Sequence, residues 1–219
     1  MEKTLFTGTN FDTRRTEVYD WLTANASDIF SSIKINENKN IICTIENGGS
    51  ITLDYSGSSS SGSSTAIVTL ANGTVVRSYN SSSNNKIDYR HYYGIKTDKG
   101  IYLCCLKGNS SGSGNGYWAD LLISKETDGV VLSFVYSNGS SSSGSKQYII
   151  CPEKDLSYNV TNSILSAEMT TFVPIPLTEN SYATNLQFMP FNMYKGTIGQ
   201  LTDSTGQKYV SDGYCALKY

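Results

Sequence analysis

The chain has 219 residues, a formal net charge of -2 and 16% charged residues, well under the roughly 25% usual in soluble domains. It carries no basic cluster, so nucleic acid finds no electrostatic footprint to bind. No run approaches the ~18 consecutive apolar residues of a membrane-spanning helix, and Met1–Gly8 holds no apolar run of signal-peptide length.

These bounds set expectations for class and compartment. One all-β domain of this length buries a sizeable core. Ser, Thr, Asn and Gly take the place of charges, and the 16 tyrosines suit pleated, half-buried surfaces and interfaces. Without a signal peptide, synthesis in a cytoplasm without classical export is expected. The five cysteines, Cys43, Cys104, Cys105, Cys151 and Cys215, include no C-x-x-C pair and read as free core thiols. The triplets Asn72-Gly73-Thr74 and Asn138-Gly139-Ser140 then read as composition rather than glycan sites.

In chain order, residues 1–11 read as a short extended arm. A helix is expected from about Asp12, with Asp12 or Thr13 accepting the orphan N–H groups as N-cap. Val18, Trp21, Leu22, Ile29, Phe30 and Ile33 recur near helical spacing as one apolar stripe, although Asn25 and Ser27 weaken its middle and favour an early stop. The stripe suits packing on a sheet. It also suits docking against another subunit, which makes Val18, Trp21 and Leu22 candidate subunit contacts. Asn36–Asn40 is a polar linker. Residues 1–40 therefore read as an arm and helix, and 41–219 as a single antiparallel β domain with a meander over 41–151 and a C-terminal extended segment and hairpins over 166–219.

The meander opens with Ile41–Glu46. Ser50–Ser56 alternates cleanly, with Ile51, Leu53 and Tyr55 on one face and Thr52, Asp54 and Ser56 on the wet face. Ala66–Ala71 and Thr74–Tyr79 flank Asn72-Gly73, the dipeptide of a type I′ hairpin turn. Ile87–Lys96 contains the single histidine, His91. Ile101–Leu106 is apolar on both faces, as a central, doubly buried strand requires. Tyr117–Ser124 and Val130–Tyr136 form a hairpin across Glu126–Gly129. Lys146–Cys151 is the last meander strand, ended by Pro152. Tight turns at Asn47-Gly48-Gly49, Asn72-Gly73, Asp98-Lys99-Gly100 and Asp128-Gly129 alternate with Ser/Gly/Asn loops at Gly57–Ser64, Ser81–Asn85, Lys107–Gly116 and Ser137–Lys146. In an up-and-down meander the turns cap one end and the loops gather at the other. Met169–Leu177 is extended because Pro174 and Pro176 restrict their neighbours. Met189–Tyr219 reads as three strands joined by two turns.

The sequence offers little chemistry. Gly108-Asn109-Ser110-Ser111-Gly112 has the letters of a nucleophile elbow, but it runs from a Ser/Gly loop into a strand, where an elbow needs a strand-to-helix turn. Any triad or imidazole-based metal site must use His91. Cys104 and Cys105 are adjacent in a strand, point to opposite faces and cannot share one metal. The carboxylates Glu46, Asp54, Asp88, Asp98, Asp120 and Glu126 are scattered through the sheet. A hydrolase needs two of them paired at a separation that sequence does not specify. No catalytic residue, cofactor site or metal site is assigned.

The C-terminal stretch Met189-Pro190-Phe191-Asn192-Met193-Tyr194, followed by Gly206-Gln207-Lys208-Tyr209-Val210-Ser211-Asp212-Gly213-Tyr214-Cys215-Ala216-Leu217, resembles the ending of a known group. It is similar to small virion-associated structural proteins of tailed phages and prophages of Gram-positive bacteria, which end in a Met-Pro segment, a hairpin and Lys-Tyr-(Leu/Val)-x-(Asn/Asp)-Gly-Tyr-x-Ala-(Leu/Ile). Trp118-Ala119-Asp120-Leu121-Leu122-Ile123-Ser124-Lys125 is a second partial match. The resemblance implies a virion setting, assembly inside the host bacterial cytoplasm, and contacts with itself and with other virion structural proteins. It implies no catalytic residues.

The expected fold is mainly β: an antiparallel meander forming a β-sandwich or open barrel of about ten strands, with one N-terminal α-helix. The expected function is a non-enzymatic structural component of a phage or phage-like particle (tail, baseplate or neck) acting through homo-oligomeric contacts. Tyr209 and Tyr214 join the helix residues as candidate subunit contacts. The alternative is a carbohydrate- or cell-surface-binding β module, with Tyr89, Tyr92, Tyr93, Tyr117 and Trp118 as candidate glycan contacts.

Overall fold

The computed structural model describes residues 2–46, 48–55, 66–69, 73, 75–78, 93–105, 118–126, 129–137, 146–152, 173–178, 181–188, 199–211 and 215–219. Its elements are β1 (Glu2–Leu5), α1 (Phe11–Asn25), β2 (Ser32–Ile35), β3 (Ile41–Thr44), β4 (Ser50–Leu53), β5 (Ala66–Thr69), β6 (Val75–Ser78), β7 (Tyr93–Thr97) and β8 (Gly100–Cys105), followed by β9 (Trp118–Glu126), β10 (Gly129–Ser137), β11 (Lys146–Pro152), β12 (Val173–Thr178), β13 (Ser181–Phe188), β14 (Gly199–Thr202), β15 (Lys208–Ser211) and β16 (Cys215–Lys218). Among the described residues the protein is mainly β and antiparallel, with one helix near its N-terminus.

The helix starts earlier than its sequence signals imply. Its N-cap is Asn10, whose Oδ1 accepts from the Thr13 N–H at 2.9 Å while Thr13 Oγ1 accepts from the Asn10 N–H at 3.3 Å. This reciprocal capping box satisfies two backbone donors. Asp12 instead lies in the first turn, where its charge suits the helix N-terminus. Arg14, Val18, Trp21 and Leu22 form the buried stripe. The helix ends at Asn25, so Ile29 and Phe30 reach the core from the turn that follows, and Ile33 belongs to β2.

The meander is not one sheet. Its first half forms an N-terminal sheet in the order β2-β3-β4-β5-β6, and its second half joins β1 in a central sheet, β1-β7-β8-β9-β10-β11. Asn36–Asn40 is a hairpin turn rather than a linker, since Asn36 N donates to Asn40 O at 3.0 Å and β2 pairs with β3. The arm is strand β1, paired with β7.

The registers carry the expected alternation within each sheet. In the central sheet Thr97 faces Gly100, Gly100 faces Ser124, and Glu126 faces Gly129, which puts both tight connections at one end. Cys105 faces Ala119 and Trp118 faces Ser137 at the other end. In the N-terminal sheet the 44/50 and 69/75 pairs share one end, and the 53/66 and 66/78 pairs share the other. The four Ser/Gly loops themselves lie outside the described residues, apart from Ser137 and Lys146, which belong to β10 and β11. Gly73 has φ +85°, the left-handed backbone that the β5–β6 turn requires of a residue without a Cβ.

The C-terminal sheet runs β12-β13-β16-β15-β14. Its last three strands match the expected strand-turn-strand-turn-strand ending, and Pro174 and Pro176 lie in β12. Strand β13 was not anticipated, although Tyr182, Thr184, Leu186 and Phe188 alternate along it.

One core joins the helix to two sheets. Val18, Trp21 and Leu22 of α1 cluster with Ile41, Cys43, Ile51, Leu53 and Val68 of the N-terminal sheet and with Ile101, Leu103, Leu121, Ile123, Val130 and Leu132 of the central sheet. Gly94 on β7 lies directly against the helix: a Cβ there would stand 2.7 Å from Trp21 ring atoms. Tyr102, Leu122 and Val131 on the opposite face of the central sheet are also fully buried. Strand β8 is therefore doubly buried, as its sequence predicts.

Candidate functional site

The described residues assemble no catalytic constellation. No group of three or more His, Cys, Asp or Glu residues among them is placed to hold a metal ion. His91 and the Gly108–Gly112 segment lie outside the described residues, as does Asp88, while Asp120 is described in its backbone only. Glu46 is exposed, and Asp98 pairs with its neighbour Lys99 at 3.2 Å in a turn. Asp54 departs from expectation: it is buried rather than on a wet face. Cys43 is a free, buried thiol, and burial pushes its pKa up to about 12, so it is neither a thiolate nucleophile nor a ready metal ligand.

Two local polar devices fix loops rather than substrates. At the start of α1, the buried Arg14 guanidinium donates from Nε and Nη2 to the Gly8 carbonyl at 3.1 and 2.6 Å. Glu17 accepts from Thr7 Oγ1 at 3.0 Å and from Gly8 N at 2.8 Å. Burial works to raise the Glu17 pKa, but these hydrogen bonds outweigh it and hold the carboxyl below its usual value. The second device is the β14–β15 turn. Asp203 Oδ1 accepts from Thr205 N at 2.8 Å, Thr205 Oγ1 at 2.6 Å and Gln207 N at 3.0 Å, and Oδ2 accepts from Tyr209 OH at 3.1 Å. The Thr205 hydroxyl leads the interactions that lower the Asp203 pKa. Burial first, and the Asp203 carboxylate second, push the Tyr209 phenol up to about 12. These bonds are the turn chemistry expected of Asp203-Ser204-Thr205-Gly206.

Ion pairs add to the helix surroundings. Asp12 Oδ1 lies 2.8 Å from Arg15 Nη2 and 3.5 Å from Lys39 Nζ, and the Arg15 hydrogen bond, followed by the Lys39 charge, lowers its pKa. Asp28 accepts from Lys96 Nζ at 2.7 Å. Burial opposes ionisation there, but the Lys96 hydrogen bond and charge prevail and the pKa is lowered.

The candidate contact residues divide sharply. Val18, Trp21 and Leu22 are core residues and present no surface to another subunit, because α1 spends its apolar stripe on the two sheets. Tyr209 is 3% exposed with its hydroxyl turned to Asp203, so it too is spent within the chain. Tyr93 is 8% exposed, stacked edge-on against Tyr102 at 5.7 Å and covered by Lys3 Nζ at 4.1 Å from its ring centroid, so it offers no open platform for a sugar. Tyr89, Tyr92, Tyr117 and Tyr214 lie outside the described residues, and Trp118 opens β9 with its side chain undescribed.

Exposed apolar surface lies elsewhere. The large hydrophobic side chains exposed among the described residues are Leu5 at 64%, Val75 at 48% and Ile35 at 40%. Each sits on an outer strand: Leu5 on β1 of the central sheet, Ile35 and Val75 on β2 and β6, the two borders of the N-terminal sheet. The sequence singles out none of the three as exposed: residues 1–11 read as an arm, Ile33 beside Ile35 reads as part of the helical stripe, and Val75 falls in the hairpin strand Thr74–Tyr79 without a mark of its own. The signal was present in the short Ser-Ile-Lys-Ile alternation of β2. No helix among the described residues is long and apolar enough to cross a membrane. No protein-family model, curated protein or solved structure matches the chain.

Proposed function

We propose that this chain is a non-enzymatic structural component of a phage or phage-like particle, of the tail, baseplate or neck class, and that copies join through the borders of its sheets. One observation carries the self-contact: the exposed large hydrophobics among the described residues all lie on outer strands. An outer strand offers unpaired N–H and C=O groups, and an apolar side chain beside them favours pairing with another chain. Two other borders of the same protein are blunted. β11 ends in Pro152, and β12 carries Pro174 and Pro176, residues that cannot donate to a ladder. The contrast supports β1, β2 and β6 as joining borders, in place of the helix stripe.

The virion setting rests on the C-terminal resemblance. The segment Gly206–Leu217 that carries it spans β15 and the start of β16, a hairpin in which Tyr209, Val210, Ala216 and Leu217 are buried. Mass spectrometry of particles purified from a producing strain tests this setting. The chain is expected at a fixed, multiple copy number per particle, encoded beside other particle genes. Its absence from particles, with unrelated genes on both sides, overturns the setting.

A further inference from the structure

We infer that the C-terminal sheet opens from the central sheet as a unit, and that the Glu126 carboxylate is the latch that holds it closed. The inference is independent of the particle setting. Glu126 ends β9 and is 8% exposed. Its Oε1 accepts from Ser124 Oγ, and its Oε1 and Oε2 accept from the Asn185 N–H at 3.0 and 3.2 Å. Asn185 Nδ2 donates in turn to the Lys125 carbonyl at 2.7 Å. Asn185 lies in β13, so these bonds cross from the C-terminal sheet to the central one.

Three features make the C-terminal sheet a unit. Its five strands pair with one another and extend no ladder into either other sheet. It is built from one continuous stretch, Val173 to Lys218. It has buried residues of its own, Tyr209, Val210, Ala216 and Leu217, and none of these four belongs to the large core described above. Where β13 and β16 lie against β9, the tie is therefore a layer contact.

A layer contact made by apolar surface is non-directional and does not fix a register. The Glu126–Asn185 bonds supply direction, because one carboxylate grips one backbone N–H at a defined position on β13. Charge-assisted bonds of this kind are the stronger class, and a buried carboxylate deprived of its donors must be rehydrated. Ser124, fully buried on the same face, orients the carboxylate from below. Opening thus requires breaking this local polar set and parting the layer contact with β9, while leaving the core between α1 and the other two sheets intact, the pattern of a sub-global unfolding unit.

The test is native-state hydrogen exchange on the full chain, read by mass spectrometry at low denaturant. In the wild-type protein, amides of β13, β15 and β16 are expected to exchange together, at a lower opening free energy than those of β8, β9 and α1. Glu126→Gln puts an amide donor where a carboxylate accepted, and should speed exchange in β13, β15 and β16 by about tenfold to a hundredfold, with α1 and β3–β5 unchanged. Asn185→Ala removes only the bond to Lys125 and should act on the same amides more weakly. A single opening free energy for all strands in the wild type overturns the inference, and so does acceleration spread evenly over the three sheets. No change in β13–β16 on Glu126→Gln rejects the latch. If Glu126→Gln fails to fold, the wild-type exchange map and Asn185→Ala still decide.

Discussion

Replacing Gly94 with alanine tests the seam between helix and central sheet. The new Cβ would meet Trp21 Cε2 and Cζ2 at 2.7 Å and Cη2 at 2.8 Å, distances that real Cβ contacts essentially never show. The ring has little room to yield. It is buried, and Phe6 packs edge-on against it with centroids 6.0 Å apart. Forcing an extra methyl into such a seam costs about 1–3 kcal/mol. Alanine also restricts the unfolded chain, which offsets about 0.4–1 kcal/mol. The mid-range values, about 2 and about 0.7 kcal/mol, leave a net loss of about 1.3 kcal/mol, which lowers Tm by about 3–5 °C in a chain of this size. Thermal and urea unfolding followed by tryptophan fluorescence would read it. In a Trp21→Leu background the added penalty of Gly94→Ala should shrink, because the atoms it strikes are gone. A Gly94→Ala protein as stable as wild type would refute the packing argument, as would a penalty unchanged by Trp21→Leu.

Four further outcomes follow from the polar and titratable groups. Arg14→Lys breaks the two-pronged grip on the Gly8 carbonyl and should lower stability by about 1–3 kcal/mol; an unchanged urea midpoint would contradict the clamp. The Asp12, Glu17, Asp28 and Asp203 carboxyls all have lowered pKa values, so the unfolded chain takes up protons first and stability falls with acidification. The loss begins as pH approaches the ordinary values of 3.8 for Asp and 4.5 for Glu, and continues below them; a Tm flat from pH 6 to 2.5 would exclude it. Cys43 and Tyr209 act in the opposite direction, holding their protons longer when folded, so stability should decline as pH rises from about 9 toward 12. At pH 8, iodoacetamide should spare the Cys43 peptide in the native protein and modify it in urea, by peptide mapping; rapid native labelling would show that the thiol is not buried.

Strand content was legible where side chains alternate or run apolar. Ile51, Leu53 and Tyr55 announced a face, and all three are buried. Ile101-Tyr102-Leu103 announced double burial, and all three are fully buried. The cap signal at Asp12 or Thr13 points two or three residues too far along the chain. Asn10 fills that role, and Thr13 supplies the second half of the box, where a Glu or Gln is the usual cue. The division of the meander into two sheets was not legible. Antiparallel neighbours look alike in sequence whether or not the chain changes sheet between β6 and β7, and the choice depends on which faces α1 covers. The short strands β1 and β2 escaped for a related reason. Four residues carry little periodic signal, and their pairing is set by β7 and β3, the strands they border. Val18, Trp21 and Leu22 are buried within the chain, and their role was not legible because an apolar helical stripe looks the same whether its partner is its own sheet or another chain. Glu126 read as a turn residue, since nothing in sequence ties it to Asn185, 59 positions away.

Sedimentation velocity across a range of concentrations tests the central claim, that copies join through open sheet borders. Wild-type protein is expected to sediment as a closed assembly with a mass that is a multiple of the 23.9 kDa chain. Leu5→Lys, Ile35→Lys and Val75→Lys place a charge on each open border, and should shift the protein toward monomer while leaving circular dichroism and Tm nearly unchanged. A protein that stays monomeric at every concentration would contradict the account, and so would an assembly that all three substitutions leave intact.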